Sequence, residues 1–168
     1  LVVIDPTGNI DTIYDKMHLF DVTVDNTSFD ESAQFTAGTT PKTTTINGFK
    51  IGLSICFDLR FPSLYQYYRN QGCHIIVAPS SFTSSTGKLH WHTLCRARAI
   101  ETQSVVLAPN QVGIGANNAP TYGHSLIVDS LGRIIEEGSG YDESILTTTV
   151  TRSSIESIRQ RFKLNAKL

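Results

Sequence analysis

The stretch that most constrains this chain runs from Asn47 to Pro62. Asn47-Gly48 signals a tight hairpin of the I′ type, because both central residues of that turn must accept positive φ. The apolar run from Phe49 to Ile55 is short and partly β-branched, and it predicts a buried strand. Pro62 opens a helix, since its missing N–H costs nothing at the first helical position. Cys56 therefore falls at the C-terminal end of a core strand, just ahead of a turn into a helix. Open α/β sheets hold their chemistry there, and a helix N-terminus favours a thiolate. An inert, buried strand cysteine is the alternative reading of the same position.

The rest of the chain fits around that strand. Leu1 to Asp5 and Asn9 to Tyr14 predict a hairpin about Pro6-Thr7-Gly8. Asp21 to Ser28 reads as a polar segment, and Glu31 to Pro41 as loop. Leu64, Tyr67 and Tyr68 give a short amphipathic helix stopped by Gly72. His74 to Ala78 and Ser104 to Ala108 are buried strands, separated by a helix over Leu89 to Thr102. This alternation predicts a largely parallel sheet with crossover helices. Beyond Tyr122 the reading changes to antiparallel strands: Leu126 to Val128, Arg133 to Ile135, and Ile145 to Val150. Ser153 and Glu156 make a capping box for a last helix with Ile155, Ile158 and Phe162 on its apolar stripe. No internal repeat is present, and residues 1–168 read as one α/β domain with a mixed sheet.

Composition narrows the function classes. A formal net charge of −1 offers no field for gathering nucleic acid or anionic membrane, and no apolar run has the length to span a bilayer. The three cysteines, Cys56, Cys73 and Cys95, are odd in number and lie within expected secondary structure. That predicts reduced thiols and a reducing compartment.

A cysteine nucleophile needs a base or a cation beside it and donors for the oxyanion. Five histidines are available as partners: His18, His74, His90, His92 and His124. None sits in a recognisable cysteine-protease context. A metal site from His90, His92 and Cys95 is excluded by spacing, because helix residues two apart point to different faces. Lys16 is the other candidate, since Tyr14, Met17, Leu19 and Phe20 surround it with apolar groups that can hold its ammonium inward.

Five segments in order carry a resemblance to a known family: Tyr14-Asp15-Lys16-Met17-His18-Leu19-Phe20-Asp21, Cys56-Phe57-Asp58-Leu59-Arg60-Phe61-Pro62, Thr86-Gly87-Lys88-Leu89-His90-Trp91, Arg96-Ala97-Arg98-Ala99-Ile100-Glu101 and Tyr122-Gly123-His124-Ser125. Together they resemble the carbon–nitrogen hydrolases of the nitrilase superfamily, most of all the Nit branch with its deaminated glutathione amidases and ω-amidases. The resemblance implies an αββα sandwich and a Glu-Lys-Cys triad. Cys56 matches the nucleophile, and Lys16 the lysine that stabilises the oxyanion together with the Phe57 backbone N–H. Glu31 matches a second glutamate that holds the lysine. Arg60 falls where a relative grips a substrate carboxylate, with a structural pair to Asp58 as the alternative. Ser81 and Phe82, in the loop after the His74 to Ala78 strand, complete the expected substrate-binding set. No metal or organic cofactor is implied. The expected partners are a small amide substrate and a second copy of the chain, met through the Arg96–Glu101 helix and the C-terminal tail, and the expected compartment is cytoplasmic or mitochondrial.

The sequence departs from the family pattern in three places. The general-base glutamate belongs upstream of Lys16 in a Pro-Glu context, and Leu1 to Asp15 contain no glutamate. The chain thus resembles the C-terminal portion of such an enzyme, without its first strands and helices, and a longer natural chain is expected. His92 stands where relatives carry Glu, and Asp129-Ser130-Leu131-Gly132 replaces a Pro-Trp turn. The functional expectation is a thiol amidase that releases ammonia from the terminal amide of a small carboxylate-bearing metabolite through a thioester. The alternatives are a catalytically incomplete binding or subunit protein of the same fold, a nitrilase, and an N-carbamoyl amino-acid hydrolase.

Overall fold

The computed structural model describes residues 1–164. The last four residues of the expected domain and contact tail lie outside them. A six-stranded mixed sheet forms the centre, built from β5 (Thr43–Ile46), β6 (Phe49–Leu53), β7 (Ile75–Val77), β8 (Val105–Ala108), β9 (Leu126–Val128) and β10 (Ile134–Glu137). Its spatial order is β10-β9-β8-β7-β6-β5. Strands β6, β7 and β8 run parallel, and the other pairings are antiparallel. Two small antiparallel ribbons form separate sheets: β1 (Val2–Ile4) with β2 (Ile10–Ile13), and β3 (Asp21–Val24) with β4 (Thr27–Asp30).

Helices α1 (Pro62–Asn70) and α2 (Ser84–Thr102) are the parallel crossovers and cover one face. There Ile76, Ala78, Val106, Ala108, Leu126 and Val128 meet Leu64, Tyr68, Trp91, Cys95 and Ala99. The alternate residues Ile51, Leu53, Ile75, Val105 and Ile127 face the other way, against Tyr14 and against Ile155 of α3 (Arg152–Arg161). Period-two alternation thus splits the central strands between two clusters. Gly52 makes the close approach of α1 possible, for a Cβ there would lie 2.7 Å from the Tyr68 ring.

The Asn47-Gly48 turn forms as expected, with φ of 49° and 79° and Ile46 opposite Phe49. Four local expectations are corrected. The polar segment after Phe20 is the β3–β4 hairpin, whose Asp25 and Asn26 take the same left-handed conformation at φ 48° and 63°; Asp and Asn tolerate it because their short side chains bond locally. Helix α2 begins five residues earlier than its apolar stripe suggests, capped by Thr83, which accepts from the Thr86 N–H. Ile145 to Val150 is irregular backbone, not a strand. The last helix is capped by Thr151 rather than Ser153: the Thr151 hydroxyl accepts from the Ser154 N–H, while Glu156 faces His74 and Arg159.

Candidate active site

Strand β6 ends at Leu53, and the chain passes through Ser54 and Ile55 into a 3-10 turn over Cys56–Arg60 before α1. Cys56 opens that turn at φ 48°, a left-handed conformation that a non-glycine residue adopts at a cost of about 1–3 kcal/mol. The surroundings hold it there. Its N–H donates to the Pro79 carbonyl at 3.0 Å. The Tyr65 hydroxyl donates to Ser54 Oγ, which donates to the Val77 carbonyl, and Tyr68 donates to the Leu53 carbonyl. Helix α1 therefore clamps the strand end immediately before the cysteine.

Asp58 is fully buried and ties this elbow to the segment that carries Lys16. Its Oδ2 accepts from the Ile55 N–H at 2.9 Å and the Tyr14 hydroxyl at 2.6 Å. Its Oδ1 accepts from the His18 N–H at 3.0 Å and lies 2.7 Å from His18 Nδ1. The His18 ring stacks on Phe61 at 3.6 Å. Lys16 sits between the two anchors, Tyr14 and His18, and its ammonium donates to Glu31 Oε2 at 2.5 Å. The same oxygen accepts from the Phe20 N–H at 2.6 Å. The lysine is thus turned inward, as its apolar neighbours suggest.

Lys16, Glu31, Cys56 and Ser81 line one cleft of about 460 Å³. Phe20, Phe29, Phe35 and Ile55 supply apolar wall, and Ser80, Thr83, Asn117 and Thr121 supply polar groups. The β3–β4 hairpin closes one side, stitched to the glycine- and asparagine-rich loop by Asn117 Nδ2 donating to the Ser28 carbonyl. Burial pushes the Cys56 thiol above its ordinary range; the Ser81 N–H and the Lys16 ammonium pull the other way but do not overcome it. A thiol so placed needs a proton acceptor before it can attack.

The structure places the other expected site residues differently. The Phe57 N–H lies in the first turn of the 3-10 segment, where backbone donors have no acceptor within the helix. The Arg60–Asp58 pair is not formed, because the Tyr14, Ile55 and His18 groups occupy the Asp58 carboxylate. Arg60 instead lies over the Phe57 and Phe82 rings at 5.6 and 5.5 Å, with Nη2 at 3.2 Å from His90 Nδ1. It lines a second cavity of only about 10 Å³, shared with Cys56 and Ser81, and not the open cleft. Phe82 is a core residue packed on Trp91, and its backbone N–H donates to Asn110. Among the described residues, no histidine lines the cleft. Sequence reasoning missed Tyr14, His18 and Asp58 as a group, although all three lie inside the two motifs that carry the site. In α2, Arg96 and Arg98 of the expected contact stretch bond within the chain, to the Gly132 and Leu59 carbonyls. Among the described residues, no helix is long and apolar enough to cross a membrane.

Comparison with known proteins agrees with this architecture. The family model described as carbon-nitrogen hydrolase matches residues 1–160. The deaminated glutathione amidase of Synechocystis sp. is 38% identical over 162 residues, 95% of this chain and 59% of that protein. The omega-amidase NIT3 of Saccharomyces cerevisiae is 35% identical over 164 residues, 97% of this chain and 56% of that protein. The chain thus spans somewhat more than half the length of these relatives. The crystal structure of S. cerevisiae Nit3, a member of branch 10 of the nitrilase superfamily, superposes with a TM-score of 0.83 at 30% identity, covering 99% of this chain and 58% of that one. The Caenorhabditis elegans NitFhit protein gives a TM-score of 0.84 at 34% identity over 97% of this chain and 40% of its own.

Proposed function

Because the chain belongs to the carbon–nitrogen hydrolase family, we propose that it is the nucleophile-bearing part of a thiol amidase acting on the terminal amide of a small carboxylate-bearing metabolite. The observation that carries this reading is the convergence of Cys56, Lys16 and Glu31 on one cleft, with the cysteine at a strained strand end. Names of relatives such as deaminated glutathione amidase and omega-amidase point to the substrate class.

In the proposed reaction Cys56 Sγ attacks the amide carbonyl carbon after losing its proton to a base. The tetrahedral oxyanion is held by the Lys16 ammonium and the Phe57 N–H, groups already aimed before charge develops. Collapse breaks the C–N bond, the amine takes a proton, and ammonia leaves a Cys56 thioester. Water then attacks the thioester carbonyl, the carboxylic acid is released, and the thiol regains its proton. Glu31 fixes the Lys16 ammonium through the 2.5 Å contact. The base that relays protons is assigned to the general-base glutamate of the family pattern, distinct from Glu31 and not contained in Leu1 to Asp15. Arg60 lines only the cavity of about 10 Å³, so grip on the substrate acid is assigned to the polar lining of the larger cleft.

The test is ammonia release from four substrates: a ketoacid ω-amide, a deaminated glutathione-type amide, an N-carbamoyl amino acid and a nitrile. Turnover of either of the first two, lost in Cys56→Ala, supports the reading. Turnover of a nitrile or carbamoyl compound alone redirects it within the family, and no turnover by the full-length protein returns the chain to the binding or subunit alternative. Assembly as a homodimer belongs to the same proposal and is read from the solution mass.

A further inference from the structure

Away from the cleft, three side chains from three elements converge. His92 projects from α2, His124 lies in the turn before β9, and Glu137 ends β10. His92 Nε2 lies 3.0 Å, and His124 Nδ1 2.8 Å, from the same carboxylate oxygen, Glu137 Oε1. All three ligand atoms fall within 4.8 Å of one another. None of the three residues lines the cleft.

The cluster is held by its supports. The His124 N–H donates to the Ser139 carbonyl, and the His124 carbonyl accepts from Trp91 Nε1 at 2.6 Å, with Trp91 fully buried. His124 sits at φ 55°, and its ring lies 5.7 Å from that of His92 on α2. Tyr122 packs against that ring at 4.5 Å and meets the His92 ring edge-on at 6.0 Å. Gly140 completes the cradle: a Cβ there would lie 2.8 Å from His124 Nε2. The His124 ring is therefore held between Tyr122 and the close approach of Gly140.

Two imidazole nitrogens and a carboxylate oxygen form the donor set that borderline divalent cations take, at about 2.0–2.2 Å from each atom. Around a tetrahedral ion such atoms stand about 3.4 Å apart, so a small outward movement of the 2.8 and 3.0 Å contacts makes room for it. We propose that His92, His124 and Glu137 bind a zinc-class divalent cation, fastening α2 to the β9–β10 edge of the sheet. As hydrogen-bonded here, each ring presents an N–H to Glu137. Coordination uses the lone pair of that nitrogen, so the proton it carries moves to the other nitrogen of its own ring or leaves to solvent. The side chains are about one-third exposed, leaving the fourth position to water. The site stands independently of the amidase reading.

The test is Zn2+ binding by competition with a chromophoric chelator on the Cys56→Ala chain, which removes the cleft thiol; Cys73 and Cys95 are fully buried. One Zn2+ per chain is expected, with at least about tenfold weaker binding in His92→Gln, His124→Asn and Glu137→Gln. Glutamine keeps the helix and a donor for Glu137, and asparagine tolerates the left-handed backbone. Zn2+ should also raise the thermal midpoint of the parent chain and leave that of His92→Gln unmoved. Undiminished binding in His92→Gln and Glu137→Gln, or no bound Zn2+ at about 100 µM, overturns the proposal.

Discussion

The Tyr14 hydroxyl and the Asp58 carboxylate, 44 residues apart in the chain, share a buried 2.6 Å hydrogen bond. Burial, followed by that neighbouring carboxylate, drives the phenol pKa far above its ordinary value, so Tyr14 remains a donor at any working pH. Two residues beyond Tyr14 is Lys16; two before Asp58 is Cys56. The bond fixes the candidate cation against the candidate nucleophile without touching either.

Tyr14→Phe removes one donor and should lower stability by about 1–2 kcal/mol. Asp58→Asn disturbs four bonds at once and should cost more, about 3 kcal/mol or above. Urea unfolding at unchanged m-value measures both. If Asp58→Asn proves the milder change, Asp58 is not the hub of this site.

Thiol titration follows from the burial of Cys56. Its alkylation by iodoacetamide should rise with pH to a midpoint above that of an ordinary cysteine. Lys16 favours the thiolate, so Lys16→Gln should move the midpoint higher still. A midpoint near neutrality in the parent chain would mean that the thiol is ionised at rest, contrary to the environment described.

Packing at Gly52 is tight enough to predict a cost for one methyl group. Gly52→Ala puts a Cβ 2.7 Å from the Tyr68 ring, and overpacking of this kind costs about 1–3 kcal/mol. The same change should lower activity beyond its effect on folding, because Tyr68 bonds to the Leu53 carbonyl three residues before Cys56. Tyr68→Leu in the Gly52→Ala background should recover part of the stability, measured by thermal unfolding.

Alkaline stability carries a sign shared by the three thiols, Cys56, Cys73 and Cys95, all raised by burial, and Cys73 is the one that can be followed within a working range. Burial raises its thiol from 9.0 to about 11. A folded-state value above the unfolded one gives a contribution that is complete below about pH 9 and lost as pH rises through about 11. Stability should therefore fall across that window, and Cys73→Ala should flatten the slope there. An equal slope in the variant assigns the alkaline loss to other groups.

Much of the central architecture was legible in the residues because it is written in adjacent ones. Asn47-Gly48 demanded its turn, Pro62 opened its helix, and the short apolar runs became β6, β7 and β8 at the positions expected. The motifs placed Cys56 at a strand end and turned Lys16 inward. Asp25-Asn26 carried a turn signal of the same kind, yet its flanking strands are only four residues each, too short for their alternation to stand out. Ile145 to Val150 showed β-branched composition without a strand to pair with, since composition alone supplies no hydrogen-bond partner. The capping of the last helix shifted to Thr151 because three nearby hydroxyl residues compete, and only the arriving backbone angle selects one.

What the sequence by itself determined is the set of local conformations, the Cys56 elbow and the family motifs around it, because neighbouring residues restrict one another's φ and ψ through sterics and hydrogen bonds. What only the tertiary structure decided is which distant groups meet: Asp58 taking Tyr14 and His18 rather than Arg60, and Glu137 gathering His92 and His124 across 45 and 13 positions. Those meetings depend on the register of β9 with β10 and on how α1 and α2 settle against the sheet. Long-range packing sets both, and no residue spacing along the chain encodes it.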